Sequence, residues 1–330
     1  MKKGSKNIIG YMGILLLYTL VGIIGTYIPL IYTLFPLLGI PLTLWSYKKN
    51  TGWMWIGSII IPVLVSLLGH PTSSAFLFLM LGIPSVISGL QIREKDSIPQ
   101  VLFITGLVYF AGFFLFSFYL KQIQGIHVPT LYYSYVENWQ VWFLGLLEEQ
   151  QKLLQSSTGG TLNQEVLFQS YGIMRMAAKE AAYLLQNLFP SILLVLCMVG
   201  ALIQMVLGGL IIQGMGWEEI HFASLTQMGV TPIIPILLLC TWLLAATTNL
   251  ENYWILETAL SNVLFVFSIL FFYLGVLLVI HIIRASKINM VFRILIGFFS
   301  FVWFFLSPSF FVFLGFFDGL FNLRKTKQVF

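Results

Sequence analysis

Along this chain, long apolar runs alternate with short polar breaks, and the runs have lengths that suit a bilayer. A membrane-spanning helix needs about 20 predominantly apolar residues. The first five runs are Ile8 to Thr26, Tyr27 to Tyr47, Gly52 to Leu68, Ser73 to Ile92 and Val101 to Leu120. After a long polar interruption come Phe189 to Gly214, Thr231 to Ala246, Tyr253 to Ile283 and Met290 to Phe321. As one helix the last would measure roughly 48 Å against a hydrocarbon core of about 30 Å. Ser307-Pro308 divides it, so a hairpin of two short helices is expected. The predicted fold is all-α: a polytopic transmembrane helical bundle of about ten spans, including that short C-terminal hairpin. Pro36, Pro41 and Pro84 fall inside spans. Such prolines are tolerated where neighbours satisfy the freed carbonyls, so the second span, with Pro36 and Pro41, is expected to be kinked and packed inside the bundle.

The polar interruption from Lys121 to Asn187 has a helical period of its own. Trp139, Trp142, Phe143, Leu146, Leu147, Leu153 and Leu154 recur mostly at helical spacing, with Glu148 and Lys152 as an i,i+4 pair on another face. Leu167, Tyr171, Met174, Ala178, Ala182 and Leu185 form a second stripe, with Arg175 and Lys179 opposite. The pattern predicts two extracytoplasmic amphipathic helices joined by a Ser/Thr/Gly linker at 156–161, lying on the membrane or capping the bundle. Tyr132, Tyr133, Tyr135, Trp139 and Trp142 suit an aromatic belt. The organisation expected is an N-terminal membrane half (1–120), an extracytoplasmic amphipathic segment (121–187) and a C-terminal membrane half (188–330).

Composition excludes a soluble domain: 58% of residues are hydrophobic, 9% are charged, and there are 30 Phe and 9 Trp. The net charge of +5 would suit a nucleic-acid partner only if the basic residues formed a stripe. They lie instead in short clusters between spans, where they read as topology signals. With ten spans, Lys2, Lys3, Lys6, Lys48, Lys49, Arg93, Lys95, Arg284, Lys287, Arg293, Arg324, Lys325 and Lys327 fall on one side. That places both termini in the cytoplasm and the protein in a bacterial cytoplasmic (inner) membrane, although the loop with Glu218, Glu219 and His221, expected on the same side, has no basic residue. Cys197 and Cys240 lie inside apolar runs and are expected to be buried small hydrophobes. Phosphate-loop, zinc-protease and nucleophile-elbow motifs are missing. No catalytic residue, metal site or cofactor is therefore expected.

What remains is the polar chemistry at membrane depth. Asp318 follows Leu314-Gly315-Phe316-Phe317 and precedes Gly319-Leu320-Phe321, where an unpaired carboxylate costs several kcal/mol. In a hairpin about Ser307-Pro308, Arg293 reaches a similar depth, and Lys325, seven residues on, shares its helical face. Asp318, Arg293, Arg324 and Lys325 thus form a candidate polar or ion-pair site. Either the pair fixes the terminal hairpin, or Asp318 lines a polar cavity and handles a cation, a proton or a cationic substrate. A second candidate, a polar pathway, comprises Asn262, Ser261 and Glu257. Asn262 and Ser261 are deepest in their span and suit either that role or interhelical hydrogen bonding.

The layout, and above all Gly315-Phe316-Phe317-Asp318 followed by Leu323-Arg324-Lys325, resembles the YybS-like family of bacterial membrane proteins of unknown function. Leu320 and Asn322 stand where that family's pattern implies an aromatic and a second acid. Such proteins are distantly similar to the S components of energy-coupling-factor transporters. Those have about six spans and an Ala-x-x-x-Ala motif in the first, where this chain has Gly10, Gly13, Gly22 and Gly25. The resemblance implies a transporter-like membrane fold with a solute-binding or permease role. The alternative is a non-catalytic membrane scaffold that recruits envelope or signalling partners. Expected partners are the lipid bilayer with a small-molecule solute or a membrane protein, and no nucleic acid.

Overall fold

The structure, a computed structural model, describes residues 2–48, 51–94, 97–157, 164–216, 229–248, 253–285 and 289–324. Among the described residues every regular element is helical. The chain begins with α1 (Lys2–Tyr27), a 3-10 turn (Pro29–Leu34), α2 (Phe35–Lys48) and α3 (Thr51–Leu67). The next span is built from α4 (Pro71–Phe76), a π-helical segment (Leu77–Gly82) and α5 (Ile83–Glu94), followed by α6 (Ile98–Gln124). Then come α7 (Val128–Ser157), α8 (Gln164–Asn187) and α9 (Phe189–Gly214). The last four are α10 (Ile233–Thr247), α11 (Trp254–Ala285), α12 (Met290–Leu306) and α13 (Pro308–Phe321).

Local chemistry sets the joints. Proline stands in the first turn of α4, α6, α9 and α13, where its missing N–H has no helical partner to lose. Gly125 closes α6 in the left-handed conformation (φ 68°), the usual glycine stop. Pro41 and Pro62 sit inside α2 and α3, and side chains reach the carbonyls nearby: the Tyr18 hydroxyl donates to Leu38 O, and Ser74 Oγ to Pro62 O at 2.7 Å. Pro36 and Pro84 are buried, so the helices that carry them pack inward, and the π-helical segment is a further irregularity that hydrophobic periodicity does not reveal.

Two packed groups form the bundle. In the first, α1 to α6 surround a core of Tyr18, Val65, Leu77, Leu81, Val86 and Tyr109, and α9 joins it through Leu193, Cys197 and Ala201. Gly22 lies under Leu77 and Val65, and Gly25 under the Tyr32 ring, whereas Gly13 faces open space. In the second, α11 and α13 meet backbone to backbone. A Cβ on Gly315 would lie 1.8 Å from the Phe271 carbonyl oxygen, and one on Gly275 2.0 Å from that of Phe311. Small residues permit this approach where water cannot drive helices together. By contrast, α12 buries none of its side chains.

Four helical stretches of the described residues are long and apolar enough to cross a membrane: 71–94, 99–124, 189–214 and 254–284. A fifth is added if α12 and α13 count as one span, broken at Ser307 by a 116° bend. Residues 16–27, 55–67 and 233–247 form shorter apolar helices. The protein is therefore an all-helical membrane protein. Cys197 is buried as expected, but Cys240 is exposed on α10, a helix whose one fully buried residue among those described is Pro235.

Candidate functional site

Asp318 is 3% exposed and Arg324 8%, and they bond to each other. Arg324 donates from Nε at 2.8 Å and from Nη2 at 2.6 Å, both to Oδ2. Arg293 and Lys325 were the expected partners; the partner shown is Arg324, a member of the same candidate cluster. A helix continued through residue 325 would place position 325 beside Asp318, but α13 stops at Phe321. Asn322 adopts the left-handed conformation (φ 50°) and donates its N–H to Asp318 O at 2.8 Å. That turn folds Leu323 and Arg324 back, so the residue six positions on reaches the carboxylate. Arg293 lies exposed on α12, and Lys325 lies outside the described residues, as do Lys327 and the Glu218 loop. Gly319, beside the pair, packs on Pro235, Val230 and Phe271. Asp318 Oδ1 is buried with no hydrogen-bond partner among the described residues.

Asn262 uses all its side-chain capacity. Its Nδ2 donates to Asn187 O at 2.8 Å and Thr258 O at 2.7 Å, and its Oδ1 accepts from Ser191 N at 3.1 Å and Ser191 Oγ at 2.5 Å. Asn187 ends α8 and Ser191 lies in the first turn of α9, so one side chain satisfies groups that both helix ends leave open. Of the two readings for Asn262, interhelical hydrogen bonding is what the geometry displays. Ser261 and Glu257 are half-buried on the same helix. Asn262→Ala should cost about 1–2 kcal/mol, read as a lower melting temperature of the detergent-solubilised protein. An unchanged melt would refute this role.

A buried polar cluster centred on α9 is one that sequence reasoning missed. Gln204, fully buried near the middle of α9, accepts from the Tyr109 hydroxyl on α6 through Oε1. Its Nε2 donates to Thr43 Oγ1 on α2 at 2.5 Å and to Ser85 Oγ on α5 at 2.9 Å. Gly39 makes room, since a Cβ there would lie 2.8 Å from Nε2. Nearby, Ser46 donates to Val86 O at 2.8 Å and Thr105 to Gln91 Oε1 at 3.3 Å. Four helices therefore converge on an uncharged polar layer at mid-span depth. The signal was in the sequence: Gln204 interrupts Ala201-Leu202-Ile203 and Met205-Val206-Leu207, a costly place for an amide without partners.

Beside the layer, rings crowd toward one end of the bundle. Phe35 meets Tyr109 edge-on at 5.0 Å, Tyr32 lies 4.1 Å from Phe76, and Phe76 meets Phe116 at 5.5 Å. Past them Thr26 Oγ1 and Ser73 Oγ are hydrogen-bonded at 2.6 Å.

The two amphipathic helices exist and zip into an antiparallel hairpin. Tyr132 donates to Leu185 O at 2.9 Å at one end, and Arg175 meets Glu148 at 3.4 Å and Gln151 at 3.3 Å at the other. Arg175 thus joins the seam rather than the opposite face, and the partner shown for Glu148 is Arg175, not Lys152. Of the expected α7 stripe, Phe143 and Leu147 turn inward, while Trp139, Trp142, Leu146 and Leu153 are exposed together with Tyr135. On α8, Tyr171, Ala178 and Ala182 are buried, but Met174 and Leu185 are exposed. Burial lifts the Tyr132 hydroxyl above its ordinary range, with a smaller contribution from neighbouring Tyr133.

No group of three or more metal-ligating side chains occurs among the described residues. No curated protein and no solved structure matches the chain. A family described as "Predicted membrane protein (DUF2232)" matches residues 16–319, in keeping with the resemblance to YybS-like proteins. The chain belongs to that family.

Proposed function

We propose that this is a multi-pass protein of the bacterial cytoplasmic membrane with a solute-binding or permease role and no catalytic activity. The single observation behind this reading is the uncharged polar layer around Gln204. Polar groups at membrane depth are costly, and where several helices bring them together they mark substrate paths as well as helix contacts. The layer adjoins the irregular helices of the bundle: α2 with Pro41, the 3-10 turn before it, and the π-helical segment before Ser85. Irregular backbone at depth is where a helix can change its path, so gating falls to these segments, with Tyr32, Phe35, Phe76 and Phe116 as the rings between the layer and one end of the bundle. In this reading about ten spans put both termini in the cytoplasm, and the α7–α8 hairpin serves as an extracytoplasmic lid.

The aromatic stripe on α7 favours the second reading, a scaffold that recruits a membrane protein partner. Protein extracted from its own membrane into nanodiscs separates the two. The solute reading expects a small molecule released on denaturing the wild type and absent from Gln204→Leu. A stoichiometric protein partner with no retained small molecule would establish the scaffold instead.

A further inference from the structure

We propose that the Gln204 layer and Ser88 together bind an uncharged, hydrogen-bonding molecule. This rests on the solute-binding reading and specifies its class of solute. Ser85 and Ser88 stand three residues apart on α5, hence on one face, and both are completely buried. Ser85 Oγ takes the Gln204 amide at 2.9 Å. Ser88 Oγ, one turn along, is buried with no hydrogen-bond partner among the described residues. A hydroxyl without a partner at this depth is expensive. It is the polar group of this cluster left for a bound molecule to satisfy.

Charge selects the class. Thr43, Ser46, Ser85, Ser88, Tyr109 and Gln204 are all neutral. Among the described residues the buried charged side chains are Asp318 and Arg324, and those two neutralise each other at the end of α13. A charged solute entering the layer would meet no opposite charge, and its desolvation would exceed what neutral hydrogen bonds return. An uncharged solute loses only the hydration of its polar groups. For those the layer supplies the second lone pair of Gln204 Oε1 and hydroxyls that both donate and accept, the Ser88 hydroxyl first among them. The Phe35 and Tyr109 rings, packed together beside Gln204, give its apolar parts a wall.

Because Ser88 has no partner to lose and its hydroxyl is costly to bury, Ser88→Ala should fold and melt at or above the wild-type temperature, which makes it a clean probe of binding. The experiment is a thermal-shift screen of wild-type, Ser88→Ala and, as a neutral control with nothing within 4 Å of the added methyl, Gly297→Ala protein in nanodiscs. The panel sets neutral compounds (nucleobases, hexoses, polyols) beside charged ones (nucleotides, organic acids, polyamines). The expected result is stabilisation by a neutral compound, with an apparent Kd raised about tenfold in Ser88→Ala, as for one lost hydrogen bond, and unchanged in Gly297→Ala. Stabilisation by charged compounds alone, or by a neutral compound indifferent to Ser88→Ala, overturns this inference and leaves the solute-binding reading standing. No stabilisation by any compound, together with a stoichiometric protein partner, overturns both.

Discussion

Gly315→Ala should detach α13 from α11 and lower the stability of the protein by about 3 kcal/mol or more, beyond the usual cost of overpacking. The added methyl would sit 1.8 Å from the Phe271 carbonyl oxygen and 2.7 Å from Gly275 N. Both obstacles are backbone, so no rotamer change relieves the clash and the helices must separate. Separation also opens the reciprocal contact of Gly275 with the Phe311 carbonyl. Gly297→Ala on α12 is the matched control, because nothing lies within 4 Å of its Cβ position. Helix propensity there favours alanine by roughly 0.8–1 kcal/mol. Melting curves in one detergent would show a large drop for the first variant and none for the second. Equal melts would mean that α11 and α13 do not cross at these glycines.

Asp318→Asn should be almost as damaging, because removing one member of a buried ion pair strands the other. That cost is about 3–5 kcal/mol, here borne by an Arg324 guanidinium that is 8% exposed. Adding Arg324→Met removes the stranded charge and should restore most of the stability. Arg293→Met should restore none of it. Rescue by Arg293→Met would return the terminal hairpin to the cross-helix pairing read from the sequence. A stably folded Asp318→Asn protein that no longer binds its solute would instead make Asp318 a ligand-handling residue.

These two cases show where the sequence was informative. Helix positions followed from one-dimensional features: proline in first turns, Gly125 after α6, and the Ser307-Pro308 break all fell where propensity rules place them. Partners of polar side chains did not follow. Arg324 reaches Asp318 only because Asn322 takes a left-handed turn, a choice that a run of apolar and basic residues does not advertise. Asn262 was recognised as polar and deep, yet its partners Asn187 and Ser191 are 75 and 71 residues away. Gln204 was overlooked for the opposite reason, since one amide in mid-run hardly dents the hydropathy of Ala201-Leu202-Ile203 before it and Met205-Val206-Leu207 after it. The α7 stripe was found, but its split into an inner and an outer face depends on where α8 lies, which hydrophobicity alone does not encode.

The position of α9 has a consequence for biosynthesis. Gln204 follows Tyr109 by 95 residues and Thr43 by 161, with the whole α7–α8 hairpin in between. At roughly 5–20 residues per second of synthesis, the Tyr109 hydroxyl waits about 5–20 s for its final partner. Throughout that delay the first six helices are an unfinished bundle with hydroxyls facing an empty slot. A ribosome that pauses within the hairpin would prolong this exposed stage, and membrane quality control would meet the chain there.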